Sequence, residues 1–262
     1  MHYDPINLIP ISGGASGGEE EQQKGLDWNI ASIKSIRALS RVLSPEGGAL
    51  FNENNKFTDG PFPDSGVVPG EKQELKDWHN YERQREDALK TGPGEQGAPH
   101  ELKEGLEKER HDLWNTNGFN ALLSDQISID RSLRDIRHIG CKSKKYKSKL
   151  PTVSVVVPFF EEHWTTLLRT VKSVVNRSPS NVLKEIILVD DGSTIKDFLK
   201  EPLDKWLATN APMTQVVRLK ERSGLIQARQ EGAMVATGDV IVVLDSHVEV
   251  MNDWLPPLLA PA

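Results

Sequence analysis

Residues 151–192 read PTVSVVVPFFEEHWTTLLRTVKSVVNRSPSNVLKEIILVDDG, and this stretch decides the fold. TVSVVVPFF is a continuous apolar run of the kind that a strand buried on both faces needs. From Glu162 to Asn176 the period changes, and Leu167, Leu168, Val171, Val174 and Val175 share one helical face. EIILVDD is a second strand, ending in two aspartates and the turn pair Asp191-Gly192. The texture then repeats. Asp197 to Thr209 reads as a helix, TQVVRL as a third strand, Gly224 to Thr237 as a helix, and DVIVVLD as a fourth strand. A short helix containing Trp254 follows SHVEV. Four β-rich runs alternating with helices predict an α/β fold with a parallel sheet covered on both faces.

Upstream the composition differs. Of the 20 valines, 17 lie in residues 151–262, whereas 21 of the 36 glycines and prolines lie in residues 1–100. Core-building residues are therefore concentrated in the last part of the chain. Residues 1–70 carry GGASGGEEEQQ, SPEGG and DGPFPDSGVVPG and read as a flexible arm, with helical spacing only over Asn29–Leu43. Residues 71–149 read as a stem or junction segment. Within it, 71–90 is helix-compatible, and 101–123 is predicted helical with Leu102, Leu106, Leu113 and Trp114 on one side. Five lysines between Lys142 and Lys149 read as a solvated face. Residues 150–262 form the α/β unit.

Charge and cysteine content exclude several classes. The 32 basic and 38 acidic residues give a net charge of −6, which argues against binding nucleic acid or anionic membrane by bulk attraction. No run of about 20 apolar residues is present to span a bilayer. Cys141 is the single cysteine, so neither an internal disulfide framework nor a cysteine zinc site can form.

In open parallel sheets, ligands bind beyond the carboxyl ends of the strands. Those ends carry Pro158 through His163, Asp190-Asp191-Gly192-Ser193, Arg222-Ser223-Gly224 and Asp245-Ser246-His247. Acids, one Arg and one His converging on one edge suit a metal–diphosphate site. If the chain stays extended past the fourth strand, Asp245 and His247 point the same way and chelate one cation, with Mn²⁺ suited to oxygen plus imidazole. The plain alternative is a strand-end Asp that caps a helix beside an incidental His. Arg222 offers fixed positive charge before a helix N-terminus. Asp191 is either an acceptor for base or ribose or a turn residue, and His163 by itself reads as a surface histidine.

LPTVSVVVPFFEEHWTTLLRTVKSVVNRSP, LKEIILVDDGS, ERSGLIQAR and GDVIVVLDSHVE, in this order, resemble the donor-binding half of the polypeptide N-acetylgalactosaminyltransferases. Upstream, KDWHNYERQREDALKTGPGEQGAPH and NGFNALLSDQISIDRSLRDIRHIGC resemble the stem-to-catalytic junction of the isoform-10-like subgroup. The resemblance implies the N-terminal half of a GT-A, family 2-like domain. It implies a retaining transfer of GalNAc from UDP-GalNAc to Ser or Thr of polypeptides, with Mn²⁺, in the Golgi. Carried over by position, Asp245 and His247 are the metal pair, and Pro158, Glu162, Asp191, Arg222 and Ser246 contact the donor. The family's Phe-His-Asn-Glu-Ala stands here as Phe159-Phe160-Glu161-Glu162-His163, which puts an extra carboxylate, Glu161, near a diphosphate and is expected to weaken donor binding. Gln227 stands where the family commonly has Arg. The resemblance also implies that a third metal ligand, the acceptor groove and a closing loop belong to sequence beyond Ala262. It pairs the equivalent of Cys141 with a cysteine there. This polypeptide is accordingly expected to hold a free thiol and to be a truncated, inactive product that binds UDP and Mn²⁺ weakly at most. A receiver-like signalling domain, suggested by ILVDD, is disfavoured because the acid pair follows the second strand and no fifth strand exists.

Overall fold

A computed structural model describes residues 74–260. The arm and its Asn29–Leu43 helix lie outside the described residues. The elements are β1 (Leu75–Lys76), α1 (Tyr81–Leu89), α2 (Glu107–Asn117), α3 (Ala121–Asp125), β2 (Tyr146–Lys147), β3 (Val153–Phe159) and α4 (Trp164–Arg177), then β4 (Leu183–Asp190), α5 (Glu201–Asn210), β5 (Thr214–Arg218), α6 (Leu225–Val235), β6 (Val240–Val243) and α7 (Leu255–Leu259). The sheet order is β5-β4-β3-β6, with every neighbouring pair parallel. β1 and β2 form a separate antiparallel pair.

Alternation along β3 sorts the two faces. Val153, Val155 and Val157 join Leu167, Leu168 and Val171 of α4, Leu203 and Leu207 of α5, and Leu255 and Leu259 of α7 in the larger core. Val156, with Ile187 and Val189 of β4, points the other way and meets Ala228 of α6. Helix α6 lies close because residue 232 is glycine. A Cβ there would stand 2.3 Å from Val156 Cγ1 and 2.9 Å from Val189 Cγ2.

Pro158 lies inside a central strand, where a missing N–H ordinarily breaks a ladder. Val156 O accepts from Leu244 N at 2.9 Å, so the backbone groups of Val156, and by alternation of Pro158, face β6. The β3–β6 ladder ends at Val156↔Val243, two residues earlier, so the proline costs no sheet hydrogen bond.

Residues 74–149 are bound to this layer by charge as well as by apolar contact. Trp78 is buried in the larger core, and its Nε1 donates to Lys147 O at 2.9 Å. Arg131 makes a forked bond to Glu249, with its Nη2 at 2.8 Å from Oε1. Arg177 of α4 donates to Val250 O (2.9 Å) and Arg131 O (2.5 Å). The helix expected over 101–123 is divided. A turn at Glu104–Gly105 precedes α2, and Asn120 caps the separate α3 by accepting from Leu123 N at 3.1 Å. Leu102, Leu106 and Leu113 are half-buried, but Trp114 is 49% exposed and does not join their face.

Candidate nucleotide and metal site

The carboxyl ends of β3, β4 and β6 and the loop before α6 enclose a cleft of about 440 Å³. Its wall contains Pro158, Glu162, Asp191, Arg222, Asp245, Ser246 and His247, so all seven residues singled out from the sequence meet in one cavity. A second cavity of about 580 Å³ opens beside it toward α2 and α3 and shares Phe160, Glu162 and His247 with it.

Each wall residue is fixed by its element. Asp191 follows β4, is 5% exposed, and accepts from Ser223 N at 2.7 Å and Gly224 N at 2.9 Å. It therefore ties the β4 loop to the N-terminus of α6, a third role beside the two that its spacing suggested. Gly192 makes this approach possible. It has φ 76°, and a Cβ there would lie 2.6 Å from Arg222 N. The exposed Arg222 lays its guanidinium 4.2 Å from the centre of the Phe160 ring, a cation–π contact that holds the positive charge at the cleft mouth.

The chain does not stay extended through Asp245 and His247 as the spacing argument assumed. β6 ends at Val243, and Ser246 and His247 form a turn. Convergence comes instead from Glu162. Its Oε2 accepts from Ser246 Oγ at 2.5 Å and lies 3.2 Å from His247 Nδ1. An ionised carboxylate only accepts, so Nδ1 carries the proton and the Nε2 lone pair is free for a cation. The side chains of Asp245 and His247 are 55% and 62% exposed. A hard carboxylate oxygen and an oriented imidazole fit a divalent cation such as Mn²⁺. Among the described residues, no group of three or more His, Cys, Asp or Glu is placed to hold a metal.

Further contacts around the cleft add to what the spacing suggested. Arg229, one turn into α6, lies 3.3 Å from Asp245 Oδ1 and reaches that carboxylate from the neighbouring helix. Gln227 is turned along its own helix, donating to Glu231 Oε1 at 2.6 Å. His163 is not a surface histidine. Its side chain is 11% exposed, its Nε2 is 3.4 Å from Asp125 Oδ1, and its ring packs edge-on to Phe119. Burial pushes its pKa below the usual imidazole value, and Asp125 only partly opposes this. Glu161 belongs to the second cavity and does not line the nucleotide cleft.

The glycosyl transferase family 2 profile matches residues 154–262. Human polypeptide N-acetylgalactosaminyltransferase 10 is 51% identical over 191 residues, which is 72% of this chain and 31% of the relative. N-acetylgalactosaminyltransferase 4 of Drosophila melanogaster is 46% identical over 219 residues, 80% of this chain and 33% of the relative. The chain is a homologue of the polypeptide N-acetylgalactosaminyltransferases. It spans about a third of the length of these curated relatives. The solved structure of GalNAc-T7 with UDP, GalNAc and Mn²⁺ superposes with a TM-score of 0.64 at 43% identity, over 66% of this chain and 32% of that one. The parallel sheet is thus that of a GT-A glycosyltransferase. Among the described residues, no helix is long and apolar enough to cross a membrane.

Proposed function

We propose that residues 150–262 are the donor-binding half of a polypeptide GalNAc transferase domain that binds UDP-GalNAc with Mn²⁺. The observation that carries this is the meeting of Asp245, His247, Arg222 and Asp191 on one cleft at the carboxyl edge of a parallel sheet. In this reading Pro158 and Asp191 bound the nucleoside end, and Arg222 faces the diphosphate. Ser246 has its hydroxyl proton committed to Glu162, so its oxygen serves the sugar as an acceptor. Glu162 holds His247 in the tautomer that leaves Nε2 free. Asp245 and His247 would hold Mn²⁺, which when bound would supply Lewis-acid neutralisation of the diphosphate. Fixed charge from Arg222 adds preorganised stabilisation of departing UDP. The solved relative named with UDP, GalNAc and Mn²⁺ supports the choice of ligands.

The acceptor in this reading is a Ser- or Thr-containing polypeptide or glycopeptide, and the compartment is the Golgi lumen. The side chains of Asp245 and His247 are more than half exposed to water, where charge interactions are screened, so donor binding by residues 1–262 is expected to be weak. Calorimetric titration with UDP tests the reading. Weak binding that requires Mn²⁺ and disappears in Asp245→Ala is expected, and Mn²⁺-independent or unaltered binding refutes it. Time-dependent glycosylation of a Thr-rich peptide or GalNAc-glycopeptide by residues 1–262, abolished by Asp245→Ala, would show the inactive reading to be wrong.

A further inference from the structure

Two adjacent glutamates follow β3, and their carboxylates go opposite ways. Glu161 has φ 46°, a left-handed backbone that a non-glycine residue adopts only when its surroundings compensate. That bend sends Glu162 toward Ser246 and His247 and sends Glu161 into the loop after β4. There Glu161 Oε1 accepts from Thr194 N at 2.5 Å and Ile195 N at 2.8 Å, and Oε2 accepts from Lys196 N at 3.1 Å. Three successive backbone N–H groups form a concave anion nest, and this carboxylate fills it. Its main chain is tied to the same loop. Glu161 N donates to Ser193 Oγ at 2.9 Å, and Glu161 O accepts from Lys196 Nζ at 2.6 Å. Burial raises the pKa of Glu161, but the three backbone donors outweigh it and hold the carboxyl below its ordinary value.

We infer that Glu161 is a positioning residue for the nucleotide cleft, a half-buried anion that locks the loop carrying Asp191 to the loop carrying Glu162. This rests on the donor-binding reading above. The clamp acts at both ends of the cleft. Asp191 ties the β4 loop to the start of α6, and Glu162 orients the metal-binding imidazole. Loss of the clamp frees both, so the nucleotide must pay the ordering that the fold otherwise supplies. The consequence reverses the expectation from charge alone. A carboxylate near a diphosphate should weaken binding, and its neutralisation should tighten it. A carboxylate spent on three backbone donors repels little, and its neutralisation should loosen the cleft.

The test compares the full chain with Glu161→Gln and Glu161→Gly, titrating UDP in the presence of Mn²⁺. Gln is nearly isosteric and keeps the fold, but it turns an NH₂ group toward a backbone donor. Its UDP affinity should fall on the order of threefold to tenfold, and that of Glu161→Gly by tenfold or more. Glycine tolerates the left-handed backbone and empties the nest, so formate at about 0.1 M should restore UDP affinity in Glu161→Gly and leave the parent unchanged. Unchanged or tighter UDP binding by Glu161→Gln, or no formate rescue in Glu161→Gly, overturns the proposal. If the parent chain itself does not bind UDP, the donor-binding reading fails. Amide resonances then decide the clamp separately. Formate should shift Thr194, Ile195 and Lys196 in Glu161→Gly, and an absence of shift overturns it.

Discussion

Gly232→Ala isolates how closely α6 must approach the sheet for the cleft to exist. On an unconstrained helix this substitution stabilises by about 1 kcal/mol, because alanine loses less backbone entropy. Here the added Cβ would stand 2.3 Å from Val156 Cγ1 and 2.9 Å from Val189 Cγ2. Ordinary carbon contacts begin at about 3.5 Å, so α6 or the strands must yield by roughly 1 Å. Neither valine can turn away. Both are fully buried, and β-branching restricts χ1. Overpacking costs about 1–3 kcal/mol, and overlap with two valines this close stands at the upper end, about 2–3 kcal/mol, so after the helix gain the net change should be a loss of about 1–2 kcal/mol. For a folded unit of this size that is a fall in Tm of about 2–8 °C. Denaturant unfolding followed by circular dichroism measures it. The displaced helix begins at the two N–H groups that Asp191 holds, so Mn²⁺-dependent UDP affinity should drop as well. A Gly232→Ala protein at least as stable as the parent would refute the close-approach argument.

Other outcomes follow from the site. Glu162→Gln should weaken Mn²⁺ binding roughly tenfold or more, because loss of the carboxylate leaves His247 free to rotate and change tautomer; titration of Mn²⁺ alone by electron paramagnetic resonance reads this. The pKa of His163 is depressed in the fold, so the unfolded chain binds the proton more readily, and stability is lost as pH falls below the ordinary imidazole value. His163→Gln should therefore flatten the decline of Tm between about pH 7 and 5, and an unchanged slope would assign that decline to other groups. Cys141 is exposed and is the single cysteine, so one thiol per chain should react with a thiol reagent under native conditions. A purified monomer with no reactive thiol would contradict this.

Local pattern made the sheet legible. The run VSVVVPF is buried at every position, and apolar at all but Ser154, because β3 is covered on both faces, and a helical stripe such as Leu167, Leu168, Val171 and Val174 has one period and one partner. The positions of Asp191, Arg222, Asp245 and His247 at strand ends were equally visible, since topology alone carries every such end of a parallel sheet to one edge. What each side chain does there was not. Asp245 and His247 were placed together by an extended-chain argument, yet the chain turns, and it is Glu162, 85 residues away, that orients the imidazole. Glu161 read as an unwanted charge because sequence registers its formal charge and not the three backbone donors that the β4 loop presents to it. His163 read as a surface residue because Phe119 and Asp125 reach it from a separate helical segment. Composition and period act through neighbours along the chain, and they determined the strands and helices of the parallel sheet and the edge where chemistry sits, but not the division of 101–123 into two helices. Protonation, tautomer and loop position depend on groups tens of residues apart, and only the packing of β3, β4 and α6 against one another decided those.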